Sequence, residues 1–175
     1  MPSLTHIYFG DGKGKTTAAL GLALRANGAG KKVVIVQFLK DWQSSELKSL
    51  ELLPTIKVFR GKSSGSVFIK DMTEEQIAET KKIHDDNLNV ALDLHKAGEC
   101  DVLVLDEAID AYQLDVLDHG LFEDLINNKP DDLELVITGH KPDRELFQNA
   151  DYITEMVKRR HPYDKGIQGR KGIEF

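Results

Sequence analysis

A glycine-rich segment near the N-terminus has the composition of a phosphate-binding loop. It runs Gly10-Asp11-Gly12-Lys13-Gly14-Lys15-Thr16-Thr17 and follows an apolar stretch that ends at Phe9. Glycines let backbone N–H groups approach phosphate oxygens, because a Cβ atom would obstruct that approach. Lys15 would add a positive charge, and the hydroxyl of Thr16 is suited to ligate Mg²⁺. The segment therefore predicts a site for a nucleotide phosphate and its magnesium ion.

This loop is one residue shorter than the usual pattern, G-x-x-x-x-G-K-[ST]. That pattern would place a glycine at position 9, where Phe9 stands, whereas counting from Gly10 gives G-x-x-x-G-K-T. We expect the shortened loop to hold phosphates in a different register. A glycine-rich turn with lysines for solubility is the alternative, and the strand–loop–helix context disfavours it.

The second candidate element is the apolar run Val102–Leu105, which ends in Asp106 and Glu107. In proteins with a phosphate-binding loop, an acid at the tip of a buried strand holds Mg²⁺ directly or through water. Thr16, Asp106 and Glu107 are therefore candidate metal ligands. The spacing leaves open which carboxylate is the inner ligand, and an acidic cap of the following helix is the alternative interpretation.

Other kinds of site and partner have little support. None of the six histidines forms an H-x-x-x-H pair, and the single cysteine, Cys100, excludes a disulfide framework and a Cys-rich zinc fold. A net charge of −6 argues against binding of nucleic acid through a broad electrostatic surface. No apolar run reaches the roughly 20 residues of a membrane helix, and the N-terminus lacks a signal-peptide core. We expect a cytoplasmic protein without a membrane partner.

The elements that must position these residues alternate between strands and helices. The predicted strands are Leu4–Phe9, Val33–Phe38, Ile56–Phe59, Asp101–Leu105, Leu133–Thr138 and Tyr152–Thr154. The predicted helices are Thr16–Asn27, Thr73–Ala97, His119–Asn127 and Arg144–Asn149. Unbroken aliphatic strands favour a parallel sheet buried on both faces, with ligands at the carboxyl ends of the strands. We expect a single P-loop NTPase-like α/β domain over residues 1–175, with helices on both faces of a mostly parallel sheet and an irregular tail over 156–175.

Charge is distributed unevenly along the chain. Residues 71–136 contain 19 acidic and 4 basic side chains, whereas the last 20 residues contain 6 basic and 2 acidic ones. A solvated acidic face with a basic tail is one interpretation. A tail that folds over a bound anion is the other.

Together these residues resemble the P-loop ATP:corrinoid adenosyltransferases, which act on cob(I)alamin or cob(I)yrinic acid a,c-diamide. The similar segments are 10–19, 21–26, 36–40, 105–107, 138–139, 150–151, 154–156, 161–163, 166–167 and 172–175. They span nearly the whole chain. The short loop and the Gly172-Ile173-Glu174-Phe175 terminus are the segments most specific to this family.

The resemblance implies that a Co(I) corrinoid attacks the 5′-carbon of ATP and that triphosphate leaves intact. It implies that Lys15, Thr16 and Glu107 act on the triphosphate. It also implies that residues 10–17 and Arg25 bind the nucleotide. Phe68, within the segment 61–72, would press below the corrin to displace its lower axial ligand. Arg25 as a helix-surface residue and Phe68 as an anchor to the core are the alternatives.

The sequence departs from the family at two places. Ile69 and Lys70 stand where family members often have a tryptophan close to the phenylalanine, and the one tryptophan is Trp42. His140 follows Thr138-Gly139, where the family commonly has arginine. If His140 meets phosphate, binding should strengthen at lower pH.

The family resemblance also implies a flavoprotein reductant and a homodimer, and it leaves the identity of the corrinoid open. Two other functions use the same motifs. One is a P-loop ATPase or nucleotide kinase, which would produce ADP. The other is a regulatory or carrier protein that binds ATP and corrinoid without turnover.

Overall fold

The computed structural model describes residues 2–40, 44–61 and 71–174. Its strands are β1 Thr5–Phe9, β2 Val33–Gln37, β3 Ile56–Arg60, β4 Val102–Asp106, β5 Glu134–Gly139 and β6 Tyr152–Glu155. Its helices are α1 Lys15–Gly28, α2 Glu46–Leu50, α3 Glu74–Lys96, α4 Ala108–Gln113, α5 His119–Asn127 and α6 Arg144–Gln148. All six predicted strands and all four predicted helices are confirmed, and no bound differs by more than one residue.

The six strands form one sheet in the order β3-β2-β4-β5-β1-β6, and every pair is parallel. This confirms the expected P-loop NTPase-like α/β class. Strand β5 lies between β1, which leads into the glycine-rich loop, and β4, which carries the acidic pair. The loop and the acidic pair therefore meet across the end of β5, at the carboxyl edge of the sheet.

Side chains of the central strands alternate between two apolar layers. On β2, Val34 and Val36 join the layer under α3, α4 and α5, whereas Val33 and Ile35 join the layer under α1 and α2. Both layers are buried, as the unbroken aliphatic runs predict. Helices thus cover both faces of the sheet.

Local signals fix the ends of the long helix α3. Thr73 accepts a hydrogen bond from the Gln76 amide while the Gln76 side chain accepts one from the Thr73 amide, which together form a capping box. Beyond the other end, Gly98 adopts a left-handed conformation with φ of 71°. Cys100 lies shortly before β4 and is buried, and burial raises the pKa of its thiol to about 12.

Three short elements were not predicted. Helices α2 and α4 have five and six residues, which is too short to show a helical apolar period. The tail, expected to be irregular, contains one 3-10 turn at Pro162–Lys165. Among the described residues, no helix is long and apolar enough to cross a membrane.

Candidate active site

The glycine-rich loop connects β1 to α1 through two residues with positive φ. Gly10 has φ of 115° and Gly14 has φ of 119°, a region that side chains with a Cβ rarely adopt. Gly14 caps the helix without a side-chain hydrogen bond. The first amides of α1 therefore have no acceptor within the helix and point toward the loop. This arrangement suits an anion.

The chain segment after β6 packs directly on the loop. The Gly12 amide donates a hydrogen bond of 2.7 Å to the carbonyl oxygen of Met156. A Cβ atom placed on Gly10 or Gly12 would lie 2.4 or 2.6 Å from that same oxygen. Contact with Met156 therefore requires glycine at both positions. Sequence reasoning attributed these glycines to phosphate approach alone.

Further contacts join the loop to neighbouring segments. The Gly10 amide donates to the carbonyl of His140 at 3.0 Å. Asp11 accepts a hydrogen bond of 2.9 Å from the Lys158 amide, and this bond is the main cause of the lowered pKa of Asp11. Lys13 lies 3.3 Å from Glu174. The basic tail thus runs beside the loop, whereas its predicted role over a bound anion stays a prediction.

Lys15 is folded back over the loop. Its Nζ donates to the carbonyl oxygens of Gly10 at 2.7 Å and Gly12 at 3.1 Å. Burial lowers the pKa of Lys15, and the nearby acids Asp110 and Glu107 oppose that shift. The ammonium therefore lies inside the ring of loop atoms that would surround a phosphate.

Asp106 lies at the centre of a buried hydrogen-bond network. Its Oδ1 accepts from the hydroxyls of Thr16 and Thr138, each at 2.8 Å. Its Oδ2 accepts from Lys40 Nζ at 2.6 Å and Gln37 Nε2 at 3.2 Å. The side chain is fully buried. Each carboxylate oxygen therefore already holds two donors.

Glu107 has a different environment. It adopts a left-handed conformation with φ of 64°, and its amide donates to the hydroxyl of Thr138 at 2.8 Å. Its carboxylate is partly exposed, and Oε1 lies 3.4 Å from Lys40 Nζ. Burial raises the pKa of Glu107, while Lys40 opposes the shift. The turn thus directs one acid inward and leaves the next at the rim of the site.

Lys40 is the site residue that sequence reasoning missed. It lies in the segment 36–40, which resembles the family, but no role was predicted for it from the sequence. The preceding residue, Leu39, has φ of 56°, and its amide donates to Nε2 of the buried His84. His84 Nδ1 donates in turn to the carbonyl of Val116 at 2.8 Å. The available signal was weak: a lysine three residues after the buried strand β2, which only the fold brings beside Asp106 and Glu107.

Several predicted residues lie away from this cluster or outside the description. Thr17 is exposed in the first turn of α1, and Arg25 is exposed in its last turn, where its charge acts on Tyr8. About ten residues separate Arg25 from Lys15, or roughly 15 Å along a helix axis. Phe68, with Trp42, Ile69 and Lys70, lies outside the described residues.

His140 is engaged by an acid of α4. Its Nδ1 lies 2.9 Å from Asp110 Oδ1, and its amide donates to Asp110 Oδ2 at 3.1 Å. Its side chain is otherwise exposed, at 59%. The structure therefore gives His140 a carboxylate partner. A phosphate contact for this residue stays a prediction.

Comparison with known proteins gives a consistent result. The sequence profile of the family described as ATP:corrinoid adenosyltransferase BtuR/CobO/CobP matches residues 2–175. The corrinoid adenosyltransferase of Escherichia coli (strain K12) is 31% identical over 97% of this chain and 84% of its own length. The corrinoid adenosyltransferase CobA of Salmonella typhimurium (strain LT2) has the same identity and coverage.

Among solved structures, the RadB recombinase aligns with a TM-score of 0.53 over 92% of this chain and 77% of its own, at 14% identity. At that identity the likeness concerns the fold alone. The profile match is the stronger finding, because it covers the phosphate loop, the acidic pair and the tail that packs on the loop. On this ground the chain belongs to the ATP:corrinoid adenosyltransferase family.

Proposed function

We propose that this chain transfers the 5′-deoxyadenosyl group of ATP to the Co(I) centre of a reduced corrinoid. The cobalt electron pair forms the new Co–C bond, the bond between C5′ and the triphosphate oxygen breaks, and triphosphate leaves with that electron pair. Family membership supports the reaction class. The observation that carries the assignment of the site is the short loop, with Lys15 over it and Thr16 hydrogen-bonded to Asp106 beside it.

The reaction needs orientation and charge stabilisation more than proton transfer, because Co(I) is already a strong nucleophile. The site supplies positive charge where the leaving triphosphate would lie. Lys15 is held by two carbonyl oxygens that phosphate oxygens can replace. The Gly10 and Gly12 amides are already bonded within the chain, so the amides that begin α1 bind the phosphates. This is the altered register that we assign to the short loop.

The residues present also fit Mg²⁺, which prefers hard oxygen ligands and retains several waters. The described residues contain no group of three or more His, Cys, Asp or Glu side chains that could hold a metal. A site built from one hydroxyl and one carboxylate, completed by substrate phosphates and water, agrees with that. We assign Thr16 and Glu107 as ligands, since Asp106 already accepts four hydrogen bonds and orients Thr16. Bound Mg²⁺ would supply charge stabilisation for the leaving triphosphate.

We also propose roles for residues away from the cluster. Arg25 binds the nucleotide, and Phe68 displaces the lower axial ligand of the corrin so that cobalt is more easily reduced. A flavoprotein supplies the electron that reduces the cobalt. A homodimer is supported by exposed apolar side chains along β6 and the tail, namely Tyr152, Ile153, Val157, Ile167 and Ile173.

Product analysis tests the proposed reaction. The protein is incubated anaerobically with Mg-ATP, a cobalamin and a reductant, and the phosphate-containing products are separated. Triphosphate as the product supports adenosyl transfer. ADP with an unchanged corrinoid would instead identify a phosphotransferase. Binding of both substrates without any product would identify a carrier.

A further inference from the structure

Three side-chain oxygens converge on the ammonium of Lys40. Its Nζ lies 2.6 Å from Asp106 Oδ2, 3.1 Å from Thr16 Oγ1 and 3.4 Å from Glu107 Oε1. These oxygens come from the end of β4, the start of α1 and the residue that caps α4. The Lys40 side chain is only 9% exposed. The ammonium is therefore enclosed by Asp106 and by the two residues assigned as magnesium ligands.

A metal ion held by Thr16 and Glu107 would lie near the ammonium of Lys40, because Nζ contacts both of these oxygens. Mg²⁺ sits about 2.1 Å from each ligand oxygen. An ion at that distance from Thr16 Oγ1, which lies 3.1 Å from Nζ, would be no more than about 5 Å from the ammonium, and two cations at that separation repel each other. This repulsion opposes metal binding as long as the ammonium keeps its present position.

Lys40 also has an electrostatic role in the structure as it stands. Among the described residues, it is the cation in ion-pair contact with Asp106 and Glu107. Two adjacent carboxylates, one fully buried, are costly without a positive partner. Those carboxylates raise the pKa of Lys40 despite the opposing effect of its burial, so the ammonium stays charged at neutral pH.

We propose that Lys40 is a resident cation that holds the metal site assembled before nucleotide binds and excludes free divalent ions from it. Mg²⁺ then enters together with ATP, whose phosphates give the displaced ammonium a new anionic partner. Lys40 is thus a positioning residue for metal entry. The inference rests on the proposed function only in taking Thr16 and Glu107 as the metal donors.

The structure offers a reason why the ammonium is well placed yet able to move. The left-handed Leu39 and its hydrogen bond to His84 fix the backbone just before Lys40. Beyond that point the side chain has four rotatable bonds, and its ammonium can exchange one oxygen partner for another. The backbone is anchored while the charge can shift toward a bound phosphate.

Titration of the nucleotide-free protein with Mn²⁺, followed by the EPR signal of the free ion, tests this proposal. Wild type should bind Mn²⁺ weakly, and Lys40→Met should bind it at least tenfold more tightly. Lys82→Met removes an exposed lysine of α3 and should match wild type. Adding Glu107→Gln to Lys40→Met should abolish the gain, which would place the ion at this site.

Equal Mn²⁺ affinity in wild type and folded Lys40→Met would overturn the proposal. If Lys40→Met does not fold without metal, the Mn²⁺ affinity of Lys40→Arg provides the test, because arginine keeps the positive charge. Continued exclusion of free Mn²⁺ by Lys40→Arg supports the proposal, and tight binding contradicts it. None of these titrations uses a corrinoid. The inference about Lys40 can therefore fail while adenosyl transfer stands, and adenosyl transfer can fail while the inference stands.

Discussion

The carbonyl oxygen of Met156 accepts a hydrogen bond of 2.7 Å from the amide of Gly12, and so joins the segment after the last strand to the phosphate loop. The Met156 amide donates in turn to the carbonyl of Phe9 at 2.7 Å. The β1–β6 pairing therefore continues past the end of β1 into the loop itself. The shape of the loop depends on a residue almost 150 positions away.

This contact predicts that Gly12→Ala destabilises the protein. The added Cβ would lie 2.6 Å from the Met156 oxygen, which is backbone and cannot rotate away. We expect the free energy of unfolding to fall by about 1–3 kcal/mol, as in other overpacked sites. Gly21→Ala is the matched control, since a Cβ there meets nothing within 4 Å and should gain about 1 kcal/mol of helix propensity. Urea unfolding measures both, and equal effects of the two variants would contradict the packing role of Met156.

A second prediction concerns the hydroxyl of Thr138, which links the two acids. It donates to Asp106 and accepts from the Glu107 amide. Thr138→Val keeps the shape but leaves a buried carboxylate with one donor fewer and an amide without its acceptor, at a cost of about 1–3 kcal/mol. Thr138→Ser, which keeps the hydroxyl, should stay near wild type. Chemical denaturation compares them, and a Thr138→Val variant as stable as Thr138→Ser would refute the linking role.

The stability of the protein should depend on pH through His84. Burial lowers the pKa of His84, so the ring binds its proton at a lower pH in the folded protein than in the unfolded chain, where histidine titrates near about pH 6.5. The unfolded state therefore binds this proton more readily than the folded state, and the free energy of unfolding falls as pH decreases from about 6.5. His84→Gln should flatten this slope between pH 5 and 7, whereas His119→Gln, at an exposed position, should keep it. Unfolding curves across that pH range measure the slope for each variant. An unchanged slope in His84→Gln would contradict the assignment of this pH dependence to His84.

A fourth prediction concerns Phe68 and the corrin. Phe68→Ala should slow adenosylation at least tenfold, because the axial ligand would no longer be displaced before reduction. Phe68→Trp keeps a large aromatic ring and should retain most of the activity. Steady-state rates with a cobalamin and a fixed reductant compare the variants. Turnover of Phe68→Ala like that of wild type would exclude the wedge role.

The sheet was predictable from the sequence because its strands are continuous aliphatic runs, such as Val33–Val36, whose burial on both faces leaves little ambiguity. The long helix α3 was predictable from the capping residues Thr73 and Gln76 and from Gly98. Helix α4 was not, because six residues carry no period and its start depends on the left-handed Glu107.

The parts of the site that belong to sequence motifs were predictable. The loop and the acidic pair lie at one edge of the sheet because both follow parallel strands. The sequence left the acids equivalent, and the structure separates them into a buried Asp106 with four hydrogen bonds and a Glu107 at the rim. Lys40 was missed because its partners come from elements that only the fold brings together.

In the proposed reaction the 5′-carbon of ATP becomes bonded to cobalt. ATP labelled at C5′ tests it directly, in anaerobic incubations with Co(I) cobalamin, Mg²⁺ and either wild type or Lys15→Ala. We predict that the label enters a light-sensitive corrinoid in equal amount to the triphosphate released. Lys15→Ala should lose this transfer by at least 100-fold, as expected when a charge stabilising the leaving group is removed. Label that remains in adenine nucleotide while ADP accumulates would contradict the proposed reaction.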